Sequence, residues 1–145
     1  MLVKCIGNDA ASLPPHYRSM FAPEGCRERR WRLLKGKIYV ACAINMFAGR
    51  QCYLVRMEDS YAPEFMPAPL FAIIDGRLST QWRYWAVKVF YENNLECVIG
   101  YPELTDDTPH YDELIDGKPE AVLLFDKRLV EMEKELLGLS PTKGD

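Results

Sequence analysis

The stretch KPEAVLLFDKRLVEMEKELLG, residues 118 to 138, restricts more than any other what this chain can fold into. It places Val122, Phe125, Leu129, Met132 and Leu136 at i, i+3 or i+4 spacing, with Asp126, Lys127, Glu131, Lys134 and Glu135 opposite. That period belongs to an amphipathic helix with one apolar face to bury. The spacing predicts a helix from about Pro119 to Leu137, with proline in its first turn and Gly138 ending it. Such a helix needs a second layer beneath it.

The residues before it read mainly as strands. LVKCI (2 to 6) suits a first strand, and NDAASLPPHY after it has the composition of a loop. Residues 8 to 30 read as irregular, with one helical turn near Tyr17. Lys35-Gly36 predicts a turn into a strand from Lys37 to Met46, where Ile38, Tyr39, Val40 and Ile44 supply β-branched and aromatic content. FAGR (47 to 50) offers a glycine at a hairpin position. QCYLVRMED then returns with Cys52, Leu54 and Arg56 on one face and Tyr53, Val55 and Met57 on the other, so 37 to 58 reads as an antiparallel hairpin.

In PAPLFAIIDGRLSTQW (67 to 82), Leu70 to Ile74 predicts a short strand flanked by the proline-rich APEFMPAP, with Asp75-Gly76 turning the chain toward Trp82. WRYWAVKVFYENNLECVIGY (82 to 101) predicts a second hairpin around Glu92-Asn93-Asn94. Trp82 and Trp85 would point to opposite faces of its first strand, so that at least one lies at an edge or under the helix. From residue 105 the period turns helical, with Thr108 as N-cap, Pro109 at the first helical position and Gly117 as the stop. The order of elements predicts an α+β fold: a small antiparallel sheet curled into a partial barrel and covered by the C-terminal helix. A chain of 145 residues fits one domain spanning 1–145, β-rich over 1–101 and helical over 105–138, and buries roughly 70% of its unfolded surface.

Composition narrows the function classes. The N-terminus lacks the apolar segment of a signal peptide, and no run approaches the roughly 18 apolar residues of a membrane helix, so the expected location is the cytoplasm and no membrane partner is expected. Five cysteines, with no C-x-x-C, read as reduced thiols. Neither His16 nor His110 lies beside a cysteine, and the acidic run fits no EF-hand, so no metal site is expected. There is no G-x-S-x-G and no glycine-rich phosphate loop, because the nine glycines are scattered singly; the reading is a non-enzymatic protein without a cofactor.

The net charge of −3 conceals a polarity: residues 1 to 101 hold 13 basic and 9 acidic side chains, residues 102 to 145 hold 5 and 12. In the acidic part, Glu103, Asp106, Asp107, Asp112, Glu113 and Asp116 surround His110 and form the candidate surface for a protein partner. An alternative lies in CRERRWRLLKGK (26 to 37), where Arg27, Arg29, Arg30, Trp31 and Arg32 could grip phosphates and stack on a base of a nucleic acid. The overall acidity argues against that partner. Those arginines would otherwise lie in a solvated loop and pair with the acidic C-terminal segment.

The ordered series VKCIGN (3 to 8), LLKGKIYVACAI (33 to 44), YLVRMED (53 to 59), PAPLFAIIDGRLSTQW (67 to 82), IGYPELTDDTPHYDEL (99 to 114) and AVLLFDKR (121 to 128) resembles a group of small bacterial proteins. In that group an opening strand and a G-K-x-Y-x-V strand begin an SH3-like β-barrel, which a P-x-x-L-F-x-I-x-D segment and a tryptophan complete. Its members resemble proteins encoded beside polymorphic-toxin and prophage genes. The resemblance therefore implies an SH3-like partial barrel and an immunity protein that neutralises a bacterial toxin, with a phage or regulatory accessory role as a further alternative. It carries no catalytic residues.

Overall fold

A computed structural model describes residues 1–26, 28–86, 95–106 and 109–138. The fold is α+β, with two antiparallel sheets and a long C-terminal helix. The smaller sheet has the order β2 (Ile38–Val40), β1 (Leu2–Cys5), β6 (Phe71–Asp75). The larger has the order β5 (Glu64–Pro67), β4 (Arg50–Val55), β3 (Ala43–Phe47), β8 (Leu95–Gly100), β7 (Arg83–Ala86). Among the described residues the strands thus divide into two open sheets, and no single sheet closes into a barrel.

The division occurs inside the strand expected from Lys37 to Met46. At Ala41-Cys42 the chain leaves one sheet for the other: Ala41 N donates to Met1 O at 2.9 Å, and Cys42 N donates to Leu54 O at 2.9 Å. β2 pairs with β1, whereas β3 pairs with β4 and β8. The expected hairpin is therefore β3–β4 alone. Its two-residue loop is Ala48-Gly49, with φ of 48° and 74°, between the paired residues Phe47 and Arg50. Positive φ at both positions matches the twist of the strands, and Gly49 adopts it without a Cβ clash.

β4 is the structural middle layer. Tyr53, Val55 and the following Met57 enter one core with Val3, Cys5, Tyr39, Met66 and Phe71, between the two sheets. Leu54 enters a second core with Val98, Tyr101, Leu104, Leu114, Val122 and Phe125, between the large sheet and the helices. The expected alternation of side chains along this strand holds, but both faces are buried.

The helices cover the second core. β8 ends at Gly100, and Tyr101 leads into α2 (Pro102–Thr105), a turn the sequence reading had left outside the helical part. Gly100 is required there, because a Cβ would lie 2.8 Å from Ala43 Cβ and 3.3 Å from Leu104 Cδ1. α3 (His110–Ile115) follows, with Pro109 immediately before its first helical residue; Gly117, at φ 70°, stops it. The expected cap Thr108 lies outside the described residues, as does the expected turn Glu92-Asn93-Asn94. The strands flanking that turn, β7 and β8, pair antiparallel as expected.

α4 (Pro119–Leu136) buries Ala121, Val122, Phe125 and Met132, and Gly138 follows at φ 70°. Trp82 precedes β7 rather than lying in it, and its Nε1 donates to Met132 Sδ at 3.3 Å, so this tryptophan sits under the helix. The helical turn near Tyr17 is α1 (Pro15–Phe21). It is tied to the β3–β4 loop: Gln51 N donates to Tyr17 Oη at 2.9 Å, and Arg50 Nε donates to His16 O at 2.7 Å. β5 lies in the segment read only as a proline-rich flank.

Candidate partner-binding face

The acidic cluster is carried by α2 and α3, which hang from the end of β8 and pack on the second core. α3 is fixed from below by three side chains, His110, Tyr111 and Leu114. His110 Nε2 and Tyr101 Oη are 2.7 Å apart and buried. Tyr111 stacks on Phe65 at 5.7 Å and accepts from Asn45 Nδ2 at 3.1 Å. Leu114 is buried between them in the core.

With His110, Tyr111 and Leu114 facing inward, helical periodicity turns Asp112, Ile115 and Asp116 outward. Asp112 and Asp116 are exposed, Glu113 is half-buried, and Ile115 is 54% exposed at the edge of this face next to Asp112. Sequence reasoning missed Ile115, although Leu114-Ile115 carries a signal: on one short helix two adjacent apolar residues cannot both face the core.

The six expected partner-binding residues divide into two sets and one omission. Arg128 binds Glu103 through two hydrogen bonds, one from Nε to Oε2 at 3.0 Å and a shorter one from Nη2 to Oε1, and also donates from Nη1 to Glu131 at 2.8 Å. Partial burial pushes the Glu103 carboxyl up, but the bonds from Arg128 outweigh it and hold the group below its ordinary range. Asp106 accepts from Arg83 Nη1 at 2.8 Å. Glu103 and Asp106 therefore fasten α2 to α4 and to β7. Asp112, Glu113 and Asp116 form no ion pair among the described residues. Asp107 lies outside the described residues.

His110 is therefore not the centre of an exposed acidic site. Burial pushes its imidazole down, against the raising effect of Glu103 and Glu113, so the ring is held neutral where it meets Tyr101. The buried thiols are also protonated: burial raises Cys42, and raises Cys52 to about 12. Among the described residues no group of three His, Cys, Asp or Glu side chains is placed to hold a metal ion.

The basic segment is arranged differently from the nucleic-acid reading. Arg29, Arg30 and Arg32 are exposed, but Trp31 is buried at 8% exposure in the core between the sheets. The Arg29 guanidinium lies 5.0 Å from the Trp31 ring centroid and donates to Phe21 O at 2.8 Å. Trp31 is not available to stack on a base, because the core claims its ring; Arg27 lies outside the described residues. Among the described residues Arg29, Arg30 and Arg32 also form no ion pair with the acidic segment. Pairs between the front and back of the chain use Arg83 with Asp106, and Arg56 with Asp126 at 3.4 Å.

A cleft of about 390 Å³ opens between Met1, residues 77–80 and the end of α4. Two of its charged side chains are engaged: Glu135 accepts from Ser79 Oγ and Thr80 N, each at 2.7 Å, and Arg77 binds Asp75 outside the lining. No helix among the described residues is long and apolar enough to cross a membrane. No family model, no curated protein and no solved structure matches the chain.

Proposed function

We propose that the protein is a non-enzymatic binding module that docks a positively charged protein through the outer face of α3. The observation that carries this reading is the outward line of Asp112 and Asp116, which with the half-buried Glu113 form no ion pair among the described residues, and the exposed Ile115 one turn from Asp112 at its edge. From residue 102 to 120 the described residues carry six carboxylates against Lys118 alone. Charges of one sign steer an oppositely charged partner and fix its register, while the adjoining apolar side chain provides a contact that can be desolvated. The rigid anchors below α3 leave little ordering cost at the moment of binding.

In its specific form the proposal is toxin immunity: the module occludes or distorts a basic bacterial toxin. The resemblance to proteins of toxin and prophage loci supports it, and the two sheets then correspond to an opened SH3-like barrel. The test is affinity capture with the native protein beside an Asp112→Lys, Glu113→Lys, Asp116→Lys triple variant, followed by co-expression with the captured protein. The expected result is capture by the native protein only, and growth rescued by it but not by the variant. Equal capture by both refutes the face, and capture without rescue refutes immunity.

A further inference from the structure

The outward side of α4 is independent of the α3 face. Leu123, Val130 and Leu137 are 69%, 48% and 75% exposed. They stand seven residues apart, and a helix returns to nearly the same direction every seventh residue, drifting only about 20°. The three therefore make one apolar stripe along about 21 Å of helix. Helical geometry places Glu120, Lys127 and Lys134 along one flank and Asp126 and Glu133 along the other; Asp126 also faces Arg56 at 3.4 Å. Scattered surface leucines need no explanation, but these three lie on one line, with Lys127 and Lys134 on one side of it and Asp126 and Glu133 on the other, and so offer a narrow helix-to-helix contact.

We infer that this stripe is the contact between two copies of the chain, with their α4 helices running parallel. The charges choose both the occupant and its direction. A two-fold axis along the helices sets the lysine flank of each copy against the acidic flank of the other, at both edges. An antiparallel pair centred on Val130 sets Lys127 against Lys134 and Asp126 against Glu133. The parallel arrangement makes the stripe its own complement along Asp126 to Lys134, as an isologous interface requires. Three apolar residues per copy bury far less than the roughly 1,200 Å² of a stable complex, so the dimer is weak and forms with concentration.

The test is sedimentation of the full chain over a concentration series, with melting in dilute solution as a fold control. The native protein is expected to pass from monomer to dimer. A Leu123→Glu, Val130→Glu variant is expected to associate more than about tenfold more weakly, with an unchanged melt. Direction is read by cross-linking: Leu123→Cys, with Cys26→Ser to remove the exposed native thiol, forms a disulfide-linked dimer only where position 123 meets itself. A native protein that stays monomeric throughout, a dimer that persists in the glutamate variant, or a cysteine variant that fails to cross-link overturns the proposal.

Discussion

Replacing Phe125 by alanine separates the packing of α4 from its intrinsic helicity. The ring is 0% exposed, in the core shared by Val122, Leu104, Leu114 and Leu54. It meets Tyr101 at a centroid distance of 6.4 Å. Truncation removes that burial and leaves a cavity whose walls belong to four different elements, so collapse is restricted. The expected cost is about 3–5 kcal/mol, set against the roughly 5–15 kcal/mol of a domain's total stability. At about 2–4 °C per kcal/mol for a chain of this size, the melt falls by about 6–20 °C. Lys127→Ala, on the exposed side of the same helix, changes propensity without touching the core and stays within about 0.5 kcal/mol. Both are measured by urea unfolding in dilute solution. A Phe125→Ala cost below about 1 kcal/mol, or equal costs for the two variants, refutes the docking of α4 on the sheet.

Three further outcomes follow from particular contacts. Gly100→Ala forces a Cβ to 2.8 Å from Ala43 and lowers stability by about 1–3 kcal/mol in urea unfolding; a neutral result places the β8–α2 junction elsewhere. His110 has its imidazole pushed down from the ordinary 6.5 by burial. The folded state thus binds its proton less readily than the unfolded state, and stability declines as the pH falls below about 6.5. Melting curves of native protein and His110→Gln between neutral and mildly acid pH should converge. Glu103 is held low by Arg128, so Arg128→Met raises the Glu103 carboxyl toward or above the ordinary 4.5, as followed by NMR titration, and an unmoved titration contradicts the pair.

What was legible in the sequence follows from physics that is local. The spacing of Val122, Phe125 and Met132 defined α4, and Gly49 and Gly117 marked a hairpin and a helix stop because their backbone requires positive φ. The passage at Ala41-Cys42 was not legible, because no turn residue interrupts an apolar run whose two halves belong to different sheets. β5 was hidden by its prolines, although as an edge strand it tolerates Pro67, which sits opposite Cys52. Trp31 looked exposed because four arginines surround it in sequence, yet its ring is core. Of the acidic residues, composition identified the cluster, but only the long-range partners Arg83 and Arg128 separate the fastening carboxylates from the outward ones.

The central claim, that Asp112, Glu113 and Asp116 present a face to a basic protein, is tested most directly by association kinetics with the captured partner across a salt series. Electrostatic steering predicts an association rate that falls steeply with ionic strength for the native protein, and a slower rate with a flatter salt dependence for the triple lysine variant. Dissociation rates should change far less, except in Ile115→Ala, where the apolar contact is lost. Parallel salt dependences for native and triple-variant protein would contradict the account.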